Sequence, residues 1–246
     1  MNPVQELLFR LADDDLVAGH RASEWTGLAP ILEEDIAGAS MAQDQIGHAQ
    51  SYYELMPELG TPDALAFGRK PTEFRNARML EYANTEDYAL RLVRHWLYDA
   101  AKAVRLKRLA GSSHEPLAML ATRIGREHKY HLAHAQVMIT KLGQSPARER
   151  IQTALEQAYA EALGLFEITP TTETLAQTGV MPHENTLKDE WRQNVLETAR
   201  NAGLVLPENP DPTPHLGGRF GHHSEDLEQL VEEMTEVLRS DPQAVW

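Results

Sequence analysis

Four predicted helices in this sequence each place an acidic side chain on an otherwise apolar face, and this repeated feature limits the folds that the chain can adopt. In the segment from Leu117 to Leu142, apolar residues recur at helical spacing and share a face with Glu127 and His131. A carboxylate and an imidazole are costly on a buried face unless each finds a charge, a metal or a hydrogen-bond partner. The fold must therefore satisfy these polar side chains inside its core.

The same feature recurs in three earlier helical segments, predicted over Val4 to His20, from near Ile31 to about Met56, and over roughly Thr85 to Ala110. Their apolar faces contain Asp14, Asp44 and Asp99, respectively, and His48 follows Asp44 by one helical turn on the same face. The alternating spacing of three and four residues around Asp99 is typical of helices packed in a bundle. The pattern predicts four helices that face a common polar centre.

Other charged residues on these helices have simpler interpretations. Asp13 and Asp15 flank Asp14, and a solvated acidic cluster is the favoured interpretation for this helix taken alone. His128 and His134 are predicted to be partly exposed rather than ligands. A basic stripe on the third helix is interpreted as a solvated flank, with a docking surface as the alternative; its members are Arg91, Arg94, His95, Lys102 and Arg105.

The connections indicate how the bundle closes. Residues 57–74 contain several helix breakers, among them Pro62 and Pro71, and predict a long crossover between the second and third helices. Long crossovers are a feature of ferritin-like topology. We therefore predict an all-α, ferritin-like four-helix bundle forming one domain over residues 1–246, with its core at about 4–142. Peripheral helices and a C-terminal segment follow at about 147–246, with a last helix from near Ser224.

The composition limits the partners, the cellular compartment and the chemistry that are expected for this chain. Lys and Arg number 23 against 37 Asp and Glu, and the formal net charge of −14 makes the chain a poor generic partner for nucleic acid or a membrane surface. The absence of cysteine excludes disulfides, iron–sulfur clusters and thiol catalysis. No apolar run is long enough to span a bilayer, and the N-terminus lacks the features of a signal peptide. We expect a cytoplasmic protein without nucleic-acid or membrane partners.

Together the four acidic faces carry four carboxylates and two histidines, the ligand inventory of a di-iron bundle. Anionic oxygens neutralise two hard cations, and neutral imidazoles complete each coordination shell. The candidate ligands are Asp14, Asp44, His48, Asp99, Glu127 and His131.

The spacing of these candidates departs from the di-iron pattern. A working site uses Glu-x-x-His, whereas Gly47 and Tyr130 stand at the required histidine positions and both histidines follow at i+4. Each residue turns a helix by about 100°, so the imidazoles are aimed differently. We therefore predict a degenerate di-iron cluster that forms a structural polar network without a bound metal, although residual metal binding stays open.

Three segments resemble one known family over essentially the whole chain. They are SEWTGLAPILEEDIAGASMAQDQIGHAQ near the start, REHKYHLAHA in the middle, and HLGGRFGHHSEDLEQLVEEM with a terminal Trp at the end. They resemble the C subunits of the ring-1,2-epoxidase complex that acts on phenylacetyl-coenzyme A. That family is ferritin-like and belongs to the bacterial multicomponent monooxygenases.

The resemblance implies a structural subunit that pairs with a catalytic, di-iron A subunit, with a small B subunit and a reductase completing a hetero-oligomer. It implies that this subunit has no catalytic or cofactor-binding residues and no cofactor of its own. The retention of Asp14 and His48 departs from the family's loss of ligands. The isolated chain is expected to self-associate through its low-charge second helix.

Two further hypotheses follow from the residues. The rival function is an independent di-metal oxidase or oxygenase that uses the six candidate ligands. The C-terminal segment, Leu204 to Trp246, is expected to be ordered by contact, with Arg219 and the helix from Ser224 lying against the bundle or a partner.

Overall fold

A computed structural model describes residues 1–83 and 87–241, and the regular secondary structure in this part of the chain is entirely helical. The predicted all-α, ferritin-like class is therefore confirmed. The α-helices are α1 (Pro3–Ser23), α2 (Leu32–Tyr53), α3 (Pro62–Phe67), α4 (Tyr88–Leu109), α5 (Glu115–Gly143), α6 (Arg148–Leu163), α7 (Thr172–Gln177), α8 (Glu184–Asn201), α9 (Glu225–Met234) and α10 (Glu236–Ser240).

Helix α1 lies at the centre of the molecule. Its start is fixed by a capping box in which Asn2 and Gln5 exchange hydrogen bonds, with Pro3 in the first turn. Every side chain from Leu7 to Val17 is buried, so the helix is covered on all sides. Helix α2 packs along it, and α4 and α5 complete the four-helix core.

The crossover between α2 and α4 carries little regular structure. It contains α3, which the sequence did not predict, and two single 3₁₀ turns at Pro71–Glu73 and Arg78–Leu80. The predicted start of the third helix, at Thr85, lies outside the described residues. Asp87 caps α4 by accepting hydrogen bonds from the first backbone amides of the helix.

The interpretation of the acidic cluster on α1 as solvated is wrong. Asp13, Asp14 and Asp15 are all buried, because consecutive residues turn by about 100° and α1 has neighbours in every direction. Asp13 accepts hydrogen bonds from the crossover, and Asp14 from the C-terminal segment. Asp15 accepts hydrogen bonds from α4. Three adjacent carboxylates thus tie three separate segments to the central helix.

The C-terminal segment is docked on the bundle. The Arg219 guanidinium donates to both carboxylate oxygens of Asp14 at 2.8 Å. Buried Glu81, in the crossover, accepts hydrogen bonds from the ring of His223 and from both the backbone and the side chain of Ser224. The prediction that this segment is ordered by contact is confirmed for its described part; the terminal Trp246 lies outside it.

Helices α6 and α8 cover α4 on its outer side. Buried Trp191 of α8 stacks on Tyr159 of α6 and donates its indole N–H to the carbonyl oxygen of Leu97. Both helices lie in the region, about 147–246, where the sequence predicts peripheral helices. Across the described ranges, no helix combines the length and hydropathy that a membrane span requires.

Candidate metal centre

The polar centre of the bundle is built from six buried side chains on four helices. Two pairs follow the i, i+3 spacing of the di-iron motif: Gln45 with His48 on α2, and His128 with His131 on α5. Asp15 on α1 and Asp99 on α4 supply one acidic residue from each of the other helices. The cluster therefore keeps the positional pattern of a di-iron site with a different set of residues.

This register differs from the predicted one by a single residue on three helices. Asp14 binds Arg219 instead of facing the cluster. Asp44 and Glu127 lie at the edge, with 46% and 54% of their side chains exposed. Because one residue turns a helix by about 100°, the inward positions belong to the next residue in each case. His48, Asp99 and His131 lie in the cluster as predicted.

An ammonium group lies within the cluster. Buried Lys102 Nζ of α4 donates hydrogen bonds to Asp15 Oδ1 at 2.5 Å and to His48 Nδ1 at 3.1 Å. The Tyr98 hydroxyl donates to the same aspartate oxygen at 2.7 Å. A fixed positive charge from the protein thus occupies the part of the cluster between α1, α2 and α4.

The protonation of His48 follows from its partners. Its Nε2 lies 2.9 Å from the Glu127 carboxylate, which accepts a hydrogen bond, so Nε2 carries the proton. Its Nδ1 lone pair then accepts from Lys102. Burial, followed by the positive charge of Lys102, lowers the pKa of His48 to about 4. His48 is therefore neutral at pH 7 and orients the lysine.

In the part of the cluster between α4 and α5, several buried polar atoms lack hydrogen-bond partners among the described residues. Neither carboxylate oxygen of Asp99 makes a hydrogen bond to the described residues, although His95 Nε2 lies 3.0 Å from Oδ2. The Nδ1 atoms of His128 and His131 are also buried without a hydrogen-bond partner in the described chain. Burial raises the pKa of Asp99 well above its usual value, and burial lowers the pKa values of both imidazoles.

A di-iron centre does not fit these residues. The motif calls for four carboxylates, and the inward positions provide two, because Gln45 and His128 stand where glutamates are needed. The Lys102 ammonium would repel a second cation. Both polar atoms of the Gln45 side chain lack hydrogen-bond partners among the described residues. The notable departure of this cluster from the di-iron motif lies in the identity of its residues and not in their spacing, whereas the sequence predicts a defect of spacing.

Sequence reasoning missed several members of this centre. The heptad spacing of Leu117, Ala121 and Ile124 continues to His128 and His131, and this continuation would have identified both inward positions.

The basic residues of α4, interpreted as a solvated flank, instead turn toward the protein. Lys102 and Arg105 are buried, Arg94 pairs with Glu161, and Arg91 lies over the ring of Trp25. The sequence near α4 does not predict that these side chains are buried, because their acidic partners lie far away in the chain.

The fold and this cluster define a ferritin-like bundle that keeps the positions of a di-iron site but lacks its ligand set. The family model described as "Phenylacetic acid catabolic protein" matches residues 1–246. The chain belongs to this family. It is also similar to the C subunit of the 1,2-phenylacetyl-CoA epoxidase of Escherichia coli (strain K12), with 29% identity over 251 residues that cover 100% of both chains.

Proposed function

We propose that this chain is a structural subunit, without catalytic activity of its own, of a multicomponent monooxygenase that epoxidises the ring of phenylacetyl-CoA in phenylacetate catabolism. The full-length likeness to the C subunit of such an epoxidase supports the complex and its substrate. The observation that carries the non-catalytic role is the position of Lys102, whose ammonium takes the place of a cation between Asp15 and His48. Such a centre does not hold the two metal ions that a di-iron oxygenase needs.

The catalytic metal then belongs to a partner. We infer a cytoplasmic hetero-oligomer in which a di-iron A subunit performs the reaction, a small B subunit joins it, and a reductase supplies electrons. This subunit would carry neither the catalytic di-iron centre nor the reacting groups. Its role would be to hold the catalytic subunit in an assembled, active state.

The outer surface at the start of α2 supports such an assembly. Leu28, Ile31, Leu32 and Ile36 are between 53% and 69% exposed and lie close together in sequence at the N-terminal end of the helix. Contiguous exposed apolar residues mark interaction surfaces in soluble proteins. Farther along the same outer face, Gly47 leaves open space where a side chain would stand. We infer that this face of α2 packs against the catalytic subunit.

The alternative function, an independent di-metal oxidase or oxygenase, needs metal ligands at all inward positions. Asp14 is held by Arg219, and Asp44 and Glu127 serve as hydrogen-bond partners of His131 and His48. These contacts argue against the alternative.

Co-expression with the catalytic subunit tests the proposal. Asp99→Asn preserves the shape of the buried side chain, so we expect normal assembly and unchanged epoxidation by the complex. Loss of turnover in a fully assembled Asp99→Asn complex would show that this chain takes part in the chemistry. For the interface, Ile36→Lys should prevent co-purification, whereas Ile168→Lys, also on an exposed residue, should not.

A further inference from the structure

The unsatisfied part of the cluster lies between α4 and α5. One carboxylate oxygen of Asp99 and one ring nitrogen each of His128 and His131 lie within 4.8 Å of one another. All three residues are buried. Both carboxylate oxygens of Asp99 and the Nδ1 atoms of the two histidines lack hydrogen-bond partners among the described residues. Buried polar atoms without hydrogen bonds destabilise a fold, so this group calls for a shared partner.

The hydrogen bonds of the two imidazoles fix which nitrogen is free. His128 Nε2 lies 2.8 Å from the backbone carbonyl oxygen of Asp99, which only accepts, so Nε2 carries the proton. His131 Nε2 lies 2.9 Å from Asp44 Oδ2 and donates to it in the same way. Each ring therefore directs an unprotonated Nδ1 lone pair into the buried space.

His48 shows what such a lone pair binds in this protein. Its Nε2 is likewise oriented by a carboxylate, from Glu127, and its Nδ1 accepts from the Lys102 ammonium. Lys102 is in turn neutralised by Asp15. The α1–α2 part of the cluster is thus an imidazole and a carboxylate around a cation. The α4–α5 part repeats this arrangement with two imidazoles and the Asp99 carboxylate, but no ammonium or guanidinium of the described residues is hydrogen-bonded to their unpaired atoms. The charge of Lys102 acts on all three groups from the neighbouring part of the cluster.

We propose that Asp99, His128 and His131 bind a single divalent first-row transition-metal ion. Two neutral imidazoles and one carboxylate suit ions such as Zn²⁺ and Fe²⁺. The outer hydrogen bonds to Asp44 and to the Asp99 carbonyl are those that orient metal-binding histidines. One ion is expected per chain, because Lys102 already occupies the other part of the cluster. This inference goes beyond the proposed function and does not depend on it.

A groove between α4 and α5 borders one of the three residues, His128. It has a volume of about 390 Å³, includes Leu106, Gly125 and Leu132 in its lining, and reaches His128. Its lining also includes Lys107 and Arg126, which would slow the entry of a free cation. Loading therefore requires long incubation with the metal.

Metal binding by the full-length chain tests the proposal. Apoprotein prepared with a chelator is incubated for many hours with Zn²⁺ or Co²⁺ and freed of unbound metal, and bound metal is measured by mass spectrometry. We expect one equivalent per chain with either ion. X-ray absorption of the zinc form should show two imidazole ligands, and this wild-type measurement does not rely on any variant folding.

Variants of α5 test whether zinc binding depends on the two proposed histidine ligands and not on nearby residues. His128→Gln and His131→Gln should each weaken zinc binding at least tenfold. His134→Gln, one turn away and bonded to Glu34, should leave binding unchanged, as should Glu127→Gln at the residue next to His128. Circular dichroism establishes that each variant is folded.

Three results would overturn the proposal. They are no stoichiometric metal in the wild-type chain, two equivalents per chain, or full zinc affinity in folded His128→Gln and His131→Gln variants. An X-ray absorption spectrum without imidazole ligands would be a fourth such result. Two equivalents per chain would also count against the non-catalytic role in the proposed function. The other results have no bearing on whether the chain assembles with an epoxidase, so they distinguish failure of this inference from failure of the proposed function.

Discussion

The guanidinium of Arg219 forms two hydrogen bonds of 2.8 Å to the two carboxylate oxygens of Asp14, joining the C-terminal segment to the central helix. Both side chains are almost completely buried. The same guanidinium donates to the carbonyl oxygens of Arg75 and Leu165, so that one residue links α1, the crossover and the 3₁₀ turn that follows α6. The C-terminal segment is therefore part of the packed body of the protein.

Arg219→Met should lower the free energy of unfolding by about 3–5 kcal/mol, because Asp14 would remain buried without its positive partner. Urea denaturation of the isolated chain measures the change. The matched control is Arg200→Met on the exposed face of α8, which should change stability by no more than about 0.5 kcal/mol. Equal stabilities for the two variants would contradict the structural role of Arg219.

Gly221→Ala should also loosen the C-terminal segment. Gly221 has a φ of +80°, and a Cβ there would overlap the carbonyl oxygen of Thr72. We expect a loss of more than about 1 kcal/mol and faster proteolysis after residue 204. Gly47→Ala is the control, because an added Cβ there meets no atom within 4 Å. In the isolated chain it should stabilise α2 by roughly 0.4–1 kcal/mol.

Acid sensitivity should arise in part from Glu184. Burial alone would raise the pKa of this carboxyl, but Arg105 and Arg10, with Arg219 nearby, outweigh burial and lower it below 4.5. A carboxyl with a depressed pKa in the folded state stabilises the protein above its unfolded pKa, and this contribution is lost as the pH falls further.

The pH dependence of stability measures this contribution. Glu184→Gln should destabilise the chain by about 3–5 kcal/mol at pH 7, and the difference from wild type should shrink as the pH falls below about 4.5. Exposed Glu197→Gln should show neither effect. A Glu184→Gln deficit that stays constant down to about pH 3 would contradict the assignment.

Lys102→Met should be strongly destabilising, because it leaves the buried carboxylate of Asp15 without its cation. We expect a loss of about 3–5 kcal/mol, of which the double variant Asp15→Asn/Lys102→Met should recover a large part. A double-mutant cycle by chemical denaturation measures the coupling. If the two losses simply add, the two groups do not act as a pair.

Much of the fold was accessible from sequence because the long helices carry clear apolar periodicity and identifiable ends. The predicted apolar face of α4 that contains Asp99, for example, is buried, and its other members include Leu92 and Trp96. Helix α1 was harder, because it is buried on every side and its apolar pattern marks no single inward face. The choice of Asp14 over Asp15 as the inward carboxylate was therefore wrong.

The cluster was harder to predict than the helices that form it. Neighbouring residues on a helix point in directions about 100° apart. The sequence predicts Asp44 and Glu127 at the inward positions, whereas the structure places Gln45 and His128 there. The prediction favoured acidic residues because carboxylates are common metal ligands, and it therefore selected the residue next to each inward position. The role of Lys102 depends on a contact with Asp15, 87 residues earlier, which local pattern does not specify.

The most direct test of the non-catalytic role is to load the isolated chain with Fe²⁺ under anaerobic conditions and then expose it to oxygen, phenylacetyl-CoA and a chemical reductant. Iron per chain is measured by mass spectrometry, and oxygen uptake by an electrode. We predict no more than one iron per chain and no substrate-dependent oxygen uptake until the catalytic subunit is added. Two irons per chain, with oxygen uptake coupled to epoxide formation by this chain alone, would contradict the account.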